Sequence, residues 1–81
     1  MNIAIAHTVI IAALKRNPKG ATHAQLMYEV NEAVGYDKSI ICELRDLLDV
    51  MRTSPSAGIP AEIVLVRNDM AVSMRVYKLN N

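Results

Sequence analysis

Two histidines and one cysteine are the first candidates for chemistry in this chain, and their spacing predicts no metal site. His7 and His23 are the only histidines, and neither has a Cys, Asp or second His at the separation that metal ligands take. We expect His7 to be an interface or surface residue. We expect His23, at a helix start, to be exposed to solvent and available to a phosphate group.

Cys42 is the only cysteine, so the chain forms no internal disulfide, which suits a reducing compartment such as the cytoplasm. Two interpretations of its thiol stay open. It is either a redox-sensitive group on the outer face of a helix, or a small hydrophobic side chain of the core or one that is simply tolerated.

Two pairs of carboxylates stand three residues apart, Glu29 with Glu32 and Asp46 with Asp49. This spacing puts both members of a pair on one helix face, where they would suit acid–base chemistry. A solvated helix face is the more usual reason for such pairs. Ser, Cys and His also form no recognisable nucleophile arrangement, so we expect neither catalysis nor a bound cofactor.

A helical repeat of basic residues is a more specific signal. Lys38, Arg45 and Arg52 recur every seven residues, which places them along one shoulder of a helix at about 100° per residue. Such side chains match phosphates and the edges of bases. The rest of the outer surface of this helix is polar or acidic, and it consists of Ser39, Cys42, Glu43, Asp46 and Asp49.

The segment from 22 to 52 predicts the two helices that position these residues. Thr22 and Gln25 have the form of a capping box, and apolar residues follow at helical spacing. Gly35 is expected to end this helix in a left-handed conformation, and Asp37 to cap the next helix. The core-facing stripe of that second helix is expected to contain Ile40, Ile41, Leu44, Leu47, Leu48 and Met51.

The N-terminal region predicts a third helix, from about 2 to 16, with Asn2 as its cap. Its apolar run of twelve residues, 3–14, is too short to cross a bilayer, and its charges follow the run instead of preceding it as in a signal peptide. The helix is apolar nearly all round, which implies burial on two sides. We expect the second side to form a homodimer, with Ile5 and Val9 outward, through Ile3, Ile5, Ala6, Val9 and Ile10.

The remaining segments predict a turn, a loop and a β-hairpin. Asn17–Gly20 has turn chemistry, and Ala21 is expected to be extended. A loop spans 53–61, and the hairpin spans 62–79 with either a two-residue turn at Asn68-Asp69 or a connection longer by two residues, since Asn-Asp is a weaker turn signal than Asn-Gly. With the two-residue turn, Arg67 pairs with Met70, and Glu62 lies opposite Arg75.

Composition and charge distribution add a constraint on partners. The 81 residues suit one small domain, which buries only about 60% of its unfolded surface. Because 52% of the residues are hydrophobic, we expect an apolar surface used for self-association or for a partner. The net charge is +1, but bases exceed acids by three over 1–28 and by two over 50–81, whereas acids exceed bases by four over 29–49.

Taken in order, these elements resemble a winged helix-turn-helix domain over essentially the whole chain. The fold class implied is α+β, with three helices (about 2–16, 22–34 and 37–52) followed by a C-terminal β-hairpin. The resemblance rests on the apolar run 10–14, the turn at 17–20, Thr22 with Leu26, the turn at 35–37, and the hairpin end at 77–79. In that family the second helix of the pair enters the major groove, and the hairpin, or wing, contacts the DNA backbone or minor groove.

The resemblance implies a DNA-binding transcription regulator that acts as a homodimer on duplex DNA. The corresponding positions are Lys38, Ser39, Cys42, Arg45 and Asp49 on the recognition surface. Arg67, Asn68 and Asp69 would form the wing tip, and Lys19, Thr22 and His23 would approach phosphate. The family also contains protein-binding modules, and the acids Glu43, Asp46 and Asp49 keep that alternative open, because they would engage a basic protein partner.

Overall fold

The computed structural model describes all 81 residues as three helices and a small antiparallel sheet, an α+β arrangement. The chain forms helix α1 (Ile3–Arg16), strand β1 (Ala21–Thr22), helix α2 (His23–Val34) and helix α3 (Ile40–Met51). Strands β2 (Ile63–Arg67) and β3 (Val76–Leu79) follow, with a 3-10 turn at Val72–Met74 between them. The sheet has the order β1-β3-β2. None of the helices is long and apolar enough to cross a membrane.

The predicted helix caps are confirmed at both α1 and α2. The side chain of Asn2 accepts a hydrogen bond from the Ile5 N–H at 3.1 Å, and that of Thr22 accepts one from the Gln25 N–H at 3.1 Å. Each satisfies a backbone donor that has no partner within the helix. Gly35 ends α2 with φ +86°, as its position predicted, but its ψ of 151° is extended instead of helical.

Helix α3 begins three residues later than predicted. The side chain of Asp37 accepts a hydrogen bond from the Ser39 N–H at 3.0 Å, which stabilises a turn ahead of the helix, and Ser39 is the N-cap. One residue of the predicted core stripe is wrong: Ile41 is 60% exposed. It lies about 100° round the helix from Ile40, which is beyond the edge of the buried stripe.

The hairpin register predicted from a two-residue turn is wrong. Arg67 pairs with Val76 instead of Met70, and Leu65 pairs with Tyr77, with an irregularity between Leu65 and Arg67. A tight hairpin turn needs positive φ, and no residue other than glycine has it in this chain. The connection therefore extends over 68–75.

Strand β1 was expected only as an extended residue or two, and it pairs with β3 at Ala21↔Tyr77. This pairing joins the first half of the chain to its end. It also encloses Tyr77, which is buried together with the apolar stripes of the helices. The largest core side chains after Tyr77 are Ile10, Leu14, Leu26, Ile40, Leu44, Leu48 and Ile63.

Candidate nucleic-acid interface

The basic shoulder predicted at α3 is exposed to solvent. Lys38 lies in the turn before α3, and Arg45 lies in its second turn. Both side chains are exposed, and neither lies within 4.0 Å of a carboxylate. The third member of the repeat differs, because the Nε of Arg52 lies 3.1 Å from Oδ1 of Asp49. Ser39 and Cys42 are also exposed, so four of the predicted recognition positions face solvent.

Two of the three acids of α3 have a positively charged neighbour. Asp49 pairs with Arg52, and Oε2 of Glu43 lies 3.2 Å from the amino group of Met1. Asp46 has no such partner. Both pairs are at least partly exposed, so each contributes little to stability, but each offsets a negative charge on the helix.

The two carboxylates at the start of α3 have pKa values below the usual range for their side chains. Hydrogen bonding from Ser39, first through its backbone N–H, lowers the pKa of Asp37. The Ser39 side chain and, second, the terminal ammonium lower the pKa of Glu43. Both carboxylates therefore stay ionised at the positive end of the helix dipole, which they stabilise. Ser39 lies between two anions, and this limits the approach of a phosphate to its hydroxyl.

The predicted wing tip is held by one acidic residue. Oδ2 of Asp69 lies 3.2 Å from Nη2 of Arg67, and its Oδ1 accepts a hydrogen bond from the Ala71 N–H at 2.9 Å. Asn68 and Arg67 are both exposed. Met70 next to them is fully exposed. Arg67 therefore reaches solvent with its charge already paired to the neighbouring acid.

The N-terminus of α2 differs from the predicted phosphate contact. His23 is buried, with 3% of its surface exposed, and its ring lies close to that of Tyr77. The hydroxyl of Thr22 is occupied by the Gln25 N–H. Lys19 is exposed. Of the three residues predicted here, only Lys19 is free to meet an anion.

The predicted dimer surface on α1 is divided between core and solvent. Ala6 and Ile10 have no exposed surface and belong to the core, so this part of the predicted interface is wrong. Ile3 and Ile5 are 49% and 43% exposed. Val9 is half-buried against the core. At about 100° per residue, positions 5, 6, 9 and 10 span an arc of about 140°, which reaches from the exposed side at Ile5 onto the buried stripe at Ala6 and Ile10.

Val50 had no predicted role, yet it is the centre of an apolar depression. It lines three adjoining cavities of about 370, 220 and 440 Å³ between α1, α3 and the loop after α3. We call this depression the α1–α3 groove. Its apolar lining consists of Ile3, Leu47, Val50, Met51 and Pro55. Val50 lies about 280° round the helix from Ile40, which is outside the buried stripe, so helical periodicity could have predicted its exposure.

His7 faces the same region. Its Nε2 lies 2.6 Å from Oε2 of Glu62, and both side chains line the smallest of the three cavities. The pairing of two residues 55 positions apart has no local signature in the sequence. No three His, Cys, Asp or Glu side chains converge as metal ligands.

Comparison of the chain with protein-family models, with curated proteins and with solved structures finds no match.

Proposed function

We propose that this protein is a winged-helix regulator that binds duplex DNA, with α3 as the helix that enters the major groove. The element order supports it: three helices are followed by a β-hairpin, and the short β1 between α1 and α2 joins the sheet in the order β1-β3-β2. The turn between α2 and α3 contains Gly35, and α3 has one buried stripe and one free face. This is the layout that allows a helix to project from a domain into a groove.

The observation that carries the proposal is the number of basic side chains without an ion-pair partner. Three of the nine Lys and Arg residues pair with three of the eight acids, which leaves six bases and five acids. Two of these five acids contact other groups: Glu43 the amino group of Met1, and Glu62 the imidazole of His7. The free bases are Lys15, Lys19, Lys38, Arg45, Arg75 and Lys78. The net charge is only +1, but these six basic side chains have no carboxylate within 4.0 Å and are available to an external anion.

On this proposal Lys38 and Arg45 contact phosphates or base edges from one shoulder of α3. Arg45 has the geometry for a bidentate contact with guanine, and Lys38 that for a phosphate contact. Cys42, between them on the exposed side, would face the floor of the groove. The wing would add Arg67 and Asn68, after Arg67 exchanges its Asp69 partner for a phosphate.

Titration of labelled duplex with the wild type and with Lys38→Ala, Arg45→Ala and Lys15→Ala tests the proposal. Affinity should fall with salt, and each of the α3 variants should reduce the magnitude of the salt slope by about one. Lys15 is the matched control, because it is an exposed base on α1 instead of α3 and has no ion-pair partner. Sedimentation of Lys15→Ala checks that its oligomeric state equals that of the wild type. No salt-dependent binding of any duplex at micromolar protein, or an equal loss in the Lys15→Ala protein, would contradict it.

The proposed regulator acts as a homodimer in the cytoplasm. The exposed side of α1 supports the dimer, since it contains Ile5 and the small residues Ala4, Thr8 and Ala12 with few charges. A two-fold axis along this side would fix the separation of two α3 helices, as operator half-sites require.

A further inference from the structure

The α1–α3 groove combines an apolar floor with a rim of one charge sign. Its charged lining residues are Glu43, Asp46, Asp49 and Glu62, and no Lys or Arg lines any of the three cavities. Val50 is 69% exposed at the centre of the groove, and Ile3 is 49% exposed at one end. Of these acids Asp46 has no ion-pair partner, whereas Glu43, Asp49 and Glu62 each have one. An apolar surface with an unpaired acid at its rim and no Lys or Arg in its lining is complementary to an apolar partner that carries bases.

We propose that the α1–α3 groove binds an amphipathic helical segment of another protein that presents aliphatic side chains flanked by Lys or Arg. Glu43 and Val50 lie seven residues apart on α3, which corresponds to about 10 Å along the helix axis. That length accommodates two turns of a partner helix, with anchors at positions i, i+3 or i+4, and i+7. The anchors would cover Val50, Ile3 and Leu47.

The rim acids are available for such a partner. Asp46 has no ion-pair partner, and those of Glu43 and Asp49 are surface pairs that contribute little. A basic side chain arriving at Asp46 therefore meets an uncompensated carboxylate. The same acids repel nucleic acid phosphates and anionic lipid headgroups, so neither DNA nor a membrane surface fits the groove.

The groove and the basic shoulder lie on different sides of α3. Ile41 and Val50 are nine residues apart, which places them about 180° from each other round the helix. Ile41 lies on the side of Lys38 and Arg45, whereas Val50 lies in the groove. A partner centred on Val50 would leave Lys38 and Arg45 uncovered, although the rim acid Asp49 borders them and pairs with Arg52. This inference therefore does not depend on the proposed DNA binding.

A second copy of this chain fits the groove less well. One exposed stripe of the chain that combines an aliphatic residue with bases is Ile41 with Lys38 and Arg45. Insertion of that stripe into the groove of a neighbour is a head-to-tail contact, which continues into an open chain of subunits unless it closes into a ring.

The test uses two synthetic helical peptides and the full chain without DNA. One peptide has leucines at i, i+3, i+4 and i+7 with lysines elsewhere, and the other replaces every lysine by glutamate. We expect the lysine peptide to bind and to shift the backbone amide resonances of Leu47, Val50 and the residues around Ile3. The glutamate peptide should not bind.

Two exposed aliphatic residues of α3 provide a matched pair of variants, and both should leave the fold unchanged. Val50→Ser should weaken binding of the lysine peptide by about tenfold, as expected for a central contact. Ile41→Ser should change it by less than about twofold, as expected for an exposed residue outside the contact. Asp46→Asn should weaken binding and reduce its salt dependence.

Three results would overturn the proposal. The first is an absence of binding by the lysine peptide, or equal binding by both peptides. The second is an equal loss in the Val50→Ser and Ile41→Ser proteins, which would indicate non-specific adhesion. The third is self-association of the wild type that Val50→Ser abolishes, since the groove would then be occupied by a second copy.

Discussion

The backbone N–H of His23 donates a hydrogen bond of 2.8 Å to the carbonyl oxygen of Arg75 and so joins the first residue of α2 to the residue before β3. The imidazole of His23 is buried, its Nε2 has no hydrogen-bond partner, and its ring centroid lies 6.4 Å from that of Tyr77. Burial, and second the positive charge of Arg75, lowers the pKa of His23. The neutral imidazole is therefore part of the folded state.

We predict that the protein loses stability when the pH falls below about 6.5, the pKa of an unperturbed histidine. The folded-state pKa of His23 is lower, so the unfolded state binds more protons between these two values. The contribution is fully present above pH of about 6.5 and is lost as the pH falls towards the folded-state pKa. Urea denaturation at pH 7.5 and 5.5 measures it.

The same denaturation series on His23→Gln isolates this residue. The variant should show a smaller loss of stability between the two pH values, because glutamine does not titrate. His7→Gln is the control, since His7 is half-exposed and paired with Glu62. The assignment is wrong if the His23→Gln protein keeps the full pH dependence of the wild type.

We predict that Gly20→Ala destabilises the fold more than Gly58→Ala does. Gly20 has φ +121°, and a Cβ there would lie 2.6 Å from Cγ1 of Val76 and 3.1 Å from the carbonyl oxygen of Tyr77. Backbone strain and overpacking together should cost about 2–5 kcal/mol. Gly58 has φ +84° but no atom within 4 Å of the added carbon, so only strain of about 1–2 kcal/mol applies. Thermal denaturation of both variants gives the comparison, and equal losses would refute it.

The helix caps and the conformation of Gly35 could be predicted from the sequence, whereas the pairing of strands that are distant in the sequence could not. The caps at Asn2 and Thr22 and the positive φ of Gly35 depend on neighbours within a few residues, and all are confirmed. The hairpin register failed because burial of Tyr77 and its pairing with Ala21 in β1 depend on residues 56 positions apart.

The candidate site divides in the same way. The exposure of Lys38 and Arg45 follows from helical periodicity and was predicted. His23 was expected in solvent because it starts a helix, but it is buried, with its ring near that of Tyr77 in β3. Which acids of the candidate interface are neutralised also depends on ion pairs between residues distant in the sequence, such as Glu43 with the amino group of Met1. No local sequence pattern predicts such pairs.

We predict that Thr22→Ala lowers the free energy of unfolding by about 1 kcal/mol, since it removes the side-chain acceptor for the Gln25 N–H at the start of α2. Thr8→Ala is the matched control. The Thr8 hydroxyl donates to the Ala4 carbonyl inside α1, which is already part of the helix, and alanine has the higher helix propensity. Urea denaturation should therefore find Thr8→Ala neutral or slightly stabilising. Equal losses in the two variants would show that the cap contributes nothing specific.

The last prediction concerns self-association through the solvent-exposed side of α1. Ile5, Thr8 and Ala12 are exposed on this side, and the two small residues allow a second helix to approach closely. Exposed apolar surface favours association by about 25 cal/mol per Å² that is covered. Ile5 is 43% exposed, and a carboxylate there would be buried without a partner in a two-fold dimer.

Sedimentation at micromolar concentration should therefore find a dimer for the wild type and a monomer for Ile5→Asp. Ile41→Asp is the control, because it places the same charge on an exposed isoleucine of α3, and it should remain dimeric. Val9 was also predicted to face outward, but it is half-buried against the core, so Val9→Asp would test folding and association together. A wild-type monomer at this concentration would exclude the dimer. Dissociation by Ile41→Asp with an intact Ile5→Asp dimer would instead move the interface from α1 to α3.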